Sequence, residues 1–226
     1  MTLREIHEEL HKDYLNTVGT LDNRLRKFGS AVLKTSRYPV RRHYECRSIE
    51  KRNRFWVMLT AIKRGEWNDP VIDYYCVFDR SEGLYCAILD PRGGNTFVFP
   101  PHFFSRYRER VLGGSGMAGP DLIRYFVNRI WMWSIMLLSE DRKKGVASMD
   151  EVLSKETIDL MAYHPDGVMF GERAGNIYLI KTIVTFDMLF TDQKDLLDDL
   201  FEVYHDSVCR AYPEKIKDYI MDLENG

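Results

Sequence analysis

The chain is 226 residues long, 45% hydrophobic and 29% charged, with 32 Lys and Arg against 34 Asp and Glu. That balance excludes a disordered chain and leaves enough length to bury a sizeable core. No apolar run approaches the ~20 residues a membrane-spanning helix requires, and the charged opening Met-Thr-Leu-Arg-Glu-Ile-His-Glu-Glu-Leu lacks the apolar stretch of a signal peptide. The expectation is a cytoplasmic protein with no membrane partner.

Charge is unevenly spread. Residues 1–64 hold 15 Lys and Arg against 7 acids, and residues 187–226 hold 4 against 11. A basic front suits an anionic partner, whereas an acidic end suits either a protein partner or neutralisation within the fold.

In chain order, Thr2 and Glu5 have the spacing of a capping box, predicting a helix over 2–17 with an apolar stripe of Ile6, Leu10 and Tyr14. A second helix is expected over about 21–34, ending before Tyr38-Pro39. His7 and His11 lie one helical turn apart, a spacing for metal ligands; without a third ligand nearby, a solvated helix face is the preferred reading.

From Val40 the pattern becomes an antiparallel meander with strands over 40–49, 54–63, 70–79, 83–90 and 95–99. Both faces of 54–63 are apolar, so that strand should be covered on each side. Pro100-Pro101 ends the last strand and opens a helix. Along that helix His102, Arg106, Glu109 and Arg110 share one side, opposite Phe103, Phe104, Tyr107 and Val111. Gly113-Gly114-Ser115-Gly116 breaks it. Pro120-Asp121 then starts an apolar helix expected to reach about 140 and to form the centre of the core. Strands follow over 157–163, 168–172 and 177–186, joined by His164-Pro165-Asp166-Gly167 and Arg173-Ala174-Gly175-Asn176, both tight-turn sequences. His164 and His205 read as surface histidines. Acidic helices over about 191–210 and 213–224 finish the chain.

The fold class these elements predict is α+β: a single domain over 1–226, with one or two antiparallel sheets packed on a central apolar helix and helices at both termini. Within it, 1–52 forms a basic helical subregion and 191–226 the acidic C-terminal helices.

The helix after Pro101 carries the chemistry of a candidate catalytic site. His102 can exchange a proton near neutral pH, Arg106 and Arg110 can hold phosphate oxygens through paired donors, and Glu109 can orient the imidazole. Lys181 and Thr185, on one face of a late strand, can complete the group. The same residues also describe a solvated surface. A His-x-x-x-Arg-x-x-x-Arg helix followed by Gly167-Val168-Met169-Phe170-Gly171 and Ile180-Lys181-Thr182-Ile183-Val184-Thr185 resembles the barnase/colicin/RelE-like superfamily of small RNases and toxins over about residues 100–190. The resemblance implies metal-independent cleavage of RNA phosphodiesters.

RNA binding also depends on phosphate neutralisation. Arg41, Arg42, Arg47, Arg52 and Arg54, interleaved with Tyr38, His43 and Tyr44, are the candidates for it, although charge also protects an edge strand from aggregation. The alternative function is a non-catalytic interaction or accessory module that docks a protein partner through 191–226. There is no His-Glu-x-x-His, Gly-x-Ser-x-Gly, Walker loop or Gly-x-Gly-x-x-Gly. Cys46, Cys76, Cys86 and Cys209 show no Cys-x-x-Cys pairing. They read as reduced thiols, and no metal or cofactor is predicted.

Overall fold

The computed structural model describes residues 2–18, 21–47, 53–90, 94–131, 134–138 and 157–212, together with Lys217 and Ile220. The fold is α+β, and the chain divides into two compact units, Met1–Val98 and Phe99–Gly226.

The first unit begins with α1 (Leu3–Val18) and α2 (Asp22–Lys34). The predicted capping box forms at the head of α1: the Thr2 backbone N–H donates to Glu5 at 2.7 Å and the Glu5 N–H donates to Thr2 Oγ1 at 3.2 Å. Then come β1 (Val40–Arg47), β2 (Arg54–Ala61), β3 (Val71–Arg80), β4 (Gly83–Asp90) and β5 (Asn95–Phe99), adjacent in sequence order. The β1–β2, β2–β3 and β3–β4 pairings are antiparallel, as a meander requires. Ile6 and Leu10 of α1 and Phe28 and Val32 of α2 bury themselves against Val40, Cys46, Phe55, Val57, Leu59 and Ala61 on one sheet face. Because strand side chains alternate, Trp56, Met58 and Thr60 point to the other face, and they too are buried. This is the strand covered on both sides that the sequence predicts.

The second unit holds α3 (Pro101–Arg110), α4 (Gly119–Asn128), β6 (Ile135–Leu137), β7 (Ile158–His164), β8 (Gly167–Ala174), β9 (Ile177–Val184) and α5 (Thr191–Ala211). Its strands run in the order β9-β8-β7-β6, each pair antiparallel. Phe99, Phe103, Phe104, Tyr107 and Phe126 make a continuous aromatic core, largely edge to face, with ring centroids about 5–6 Å apart. The β7–β8 turn needs a glycine: Gly167 has φ of +147°, and a Cβ there would sit 2.3 Å from the Val184 carbonyl oxygen.

The apolar helix expected to reach about 140 is shorter. It stops at Asn128, and 135–137 is a strand paired with β7. The run Ile130 to Leu138 is apolar but for Ser134, and such a run fits a buried strand as well as a buried helix; pairing with β7 decides the matter for 135–137. The acidic helix expected over 191–210 is present as α5, whereas the one over 213–224 lies almost wholly outside the described residues. Among the described residues no helix is long and apolar enough to cross a membrane.

Candidate nucleic-acid interface

The aromatic side of α3 is buried through Phe103, Phe104 and Tyr107, so its polar side faces outward as the sequence predicts. Helix α3 lies on β9, which brings His102 beside Lys181. His102 remains exposed. Loss of hydration lowers its pKa, a hydrogen bond with the Lys181 backbone works the other way, and the Lys181 and Arg106 charges lower it further. The cations around it already have partners. Arg106 donates to Glu109 at 3.2 Å, Lys181 pairs with Glu172 at 2.9 Å, and Arg110 donates to Thr182 Oγ1 at 3.1 Å and to the Ile183 carbonyl at 2.7 Å. Thr185 lies just past the end of β9, not on the strand, and its carbonyl accepts from Met188 N–H. His102, Arg106 and Lys181 are thus brought together, but their positive charge is largely answered by carboxylates, and Arg110 serves to tie α3 to the strand.

The basic candidates of the first unit divide differently. Arg41 and Arg42 lie on opposite faces of β1. Arg41 Nε donates to Thr60 Oγ1 at 3.0 Å, while exposed Arg42 reaches only the Arg41 carbonyl. Arg54 pairs with Glu45 at 3.2 Å. The side chain of Arg47 and all of Arg52 lie outside the described residues.

Helix α2 adds what the sequence reading left out. Leu25, Phe28 and Val32 recur at helical spacing and turn inward, so Arg26, Lys27 and Lys34 lie on the exposed outer side, with half-buried Arg24 at its flank. From Asp22 to Arg47 the chain holds eight Lys and Arg against two acids. At the start of α2 an open groove of about 650 Å³ is lined by Asp22, Asn23, Arg24, Arg26, Lys27, Tyr44 and Glu45. Arg24 spans it, donating to the Glu45 carbonyl at 2.9 Å. Tyr44 forms one wall; partial burial raises its pKa, and the Arg42 charge opposes that rise. Among the described residues, Arg26, Lys27, Lys34, Arg37 and Arg42 form no ion pair with a carboxylate; Arg26 reaches only the Asn23 side-chain oxygen, at 2.8 Å. The signal is present in the sequence, as an excess of cations that begins at Arg24, ahead of Arg41.

Two histidine readings are corrected. His164 is 1% exposed, not on the surface, because the last residue of β7 turns its ring onto Phe126, stacked at 4.9 Å. Its Nδ1 accepts from the Asp166 backbone N–H at 3.1 Å, which locks the turn. Desolvation pushes its pKa down to about 4 against the pull of the Asp166 carboxylate. That carboxylate also accepts from Tyr107 and from Arg129 Nε, the latter at 2.8 Å. His7 and His11 do not form a solvated face: both rings converge on the hydroxyl of fully buried Thr96, at 2.7 and 3.1 Å. They flank the buried Ile6–Leu10 stripe, so packing α1 on the sheet carries them toward β5. Loss of hydration lowers both pKa values.

Helix α5 contributes Leu200, Tyr204 and Val208 to the interior of the second unit, Tyr204 lying 4.3 Å from Tyr163, while Phe201 and Val203 stay exposed. The chain matches no family model, no curated protein and no solved structure.

Proposed function

We propose that this protein binds RNA through the basic outer side of α2 and the adjoining edge strand β1. The observation that carries the reading is the groove at the start of α2, where Arg26 and Lys27 stand beside Tyr44 and no described carboxylate pairs with either cation. Cations without a carboxylate partner can exchange their counterions for phosphates, and this exchange dominates nucleic-acid affinity. A tyrosine among them offers a face for a base. Cleavage at His102 draws less support, because Arg106 and Lys181 already face Glu109 and Glu172. A partner-docking role for 191–226 draws less support as well, since α5 spends its apolar stripe on its own unit.

The test is a titration of the full chain with an RNA oligonucleotide across a range of salt. Arg26→Ala with Lys27→Ala should weaken binding at least tenfold and flatten the slope of log K against log[salt] by about 1.4, at roughly 0.7 per lost single-strand phosphate contact. Stability should change by less than about 0.5 kcal/mol, because both side chains are exposed. The RNA should be recovered intact. Equal affinity of the double variant and the parent would refute the assignment.

A further inference from the structure

We infer that Trp67 is a base-stacking residue, so that the RNA taken by α2 is a single-stranded segment. This rests on the reading of α2 as the RNA-binding surface. Trp67 is 45% exposed, whereas Trp56 and Trp131 are 9% and 8% exposed. An aromatic of that size left in water forfeits a large hydrophobic gain unless something covers it. Its position is held from beneath: a Cβ at Gly29 of α2 would lie 2.6 Å from the Trp67 carbonyl oxygen and 3.2 Å from its Cε3. Glycine at 29 therefore lets the Trp67 segment lie directly on the helix.

The preceding turn is also fixed. Glu66 N–H donates to the Lys63 carbonyl at 3.1 Å, and the Glu66 carboxylate accepts from Ile62 N–H at 2.7 Å. Glu66 is thereby occupied with its own turn, while the Lys63 and Arg64 side chains stay exposed and pair with no carboxylate among the described residues.

Around α2, the groove with Tyr44 opens on the Arg24 side and Trp67 sits on the Gly29 side, with Arg26 and Lys27 between them on the outer surface. Arg26 is three residues from Gly29, about 5 Å along the helix axis. A basic strip flanked by two aromatics is complementary to a chain of phosphates with splayed bases. A duplex hides its base faces inside the stack and offers nothing for an indole to cover, so the partner chemistry is an unpaired strand.

The experiment compares the full chain with Trp67→Ala and Trp67→Phe on two probes, a 12-nucleotide polyuridylate and a 12-base-pair RNA duplex. Trp67→Ala should bind the single strand about tenfold more weakly, the size expected for one lost stack, and the duplex within twofold of the parent. Trp67→Phe should retain most single-strand affinity. Tryptophan emission of the parent should be quenched by polyuridylate to a greater extent than that of Trp67→Phe, a readout that stands even if Trp67→Ala fails to fold. If the alanine variant binds polyuridylate like the parent while Arg26→Ala with Lys27→Ala does not, the stacking role is wrong and the α2 surface stands. If the parent binds neither probe, the α2 reading fails and the stacking role with it.

Discussion

Helices α2 and α3 carry nearly the same cations and use them in opposite ways. On α3, Arg106 meets Glu109 and Arg110 is anchored to Thr182 and Ile183 of β9, with Lys181 beside them on Glu172. On α2, Asp22 is the one acidic residue, and Arg26 and Lys27 border a groove with Tyr44. A guanidinium satisfied by a carboxylate one helical turn away contributes little to an external anion, because binding must first displace the partner it has. What distinguishes a binding surface from a stitched one is therefore the supply of carboxylates within about 4 Å, the reach of a salt bridge.

The same contrast is sharpest where a cation is committed inside the protein. Arg129 and Asp166 have side chains only 15% and 7% exposed, and Tyr107 shares the carboxylate. Asp166→Ala would remove the carboxylate to which both the Arg129 guanidinium and the Tyr107 hydroxyl donate. The expected loss is about 3–5 kcal/mol, measured by denaturant unfolding. A loss under 1 kcal/mol would mean that water reaches the cluster and that committed and available cations are not sharply divided in this protein.

Next in size is the response to acid. His164 has its folded pKa depressed by desolvation to about 4 from an ordinary value near 6.5. The unfolded chain therefore binds the proton first as pH falls. The contribution of His164 is fully present above pH 6.5 and drains away as pH drops toward 4, amounting to about 3 kcal/mol at ~1.4 kcal/mol per pH unit. His7, His11 and His102, also lowered chiefly by lost hydration, add in the same direction. Unfolding followed between pH 7 and 4 should show this slope, and His164→Gln should flatten most of it. An unchanged slope in that variant would shift the effect to the His7–His11 pair on Thr96.

Much of the fold was legible in the sequence because period and punctuation agree there. The meander predicted between 40 and 99 and the three strands after 157 match β1–β5 and β7–β9 closely, since each run is bounded by turn residues such as those at 80–83 and 164–167. Ile130 to Leu138 misleads for the converse reason: nine nearly unbroken apolar residues carry no period, and it is pairing with β7 that makes 135–137 a strand. Site residues were less legible still. The polar side of α3 is legible from its helical period, but nothing local to α3 announces that Glu172 on β8 will neutralise Lys181 on β9, a pairing that depends on sheet neighbours. His164 departs from its expected surface position for a similar reason, since a residue beside a turn is ordinarily exposed and the packing of Phe126 from α4 covers this one.

The smallest expected effect is the one that separates the two helices most cleanly. Arg106→Ala removes an exposed pair, with side chains 52% and 65% accessible, so its cost should lie within about 0.5 kcal/mol. His102→Ala should be comparably mild, since its ring is exposed and lies outside the aromatic core. Neither change touches α2, and RNA affinity should stay within twofold of the parent in both, where Arg26→Ala with Lys27→Ala loses tenfold. Affinity and unfolding measured side by side on these variants decide the point. If His102→Ala alone weakened RNA binding as strongly as the α2 pair does, the carboxylates beside α3 would have to yield to phosphate, and it would be the α3 surface, with its imidazole, that holds the RNA.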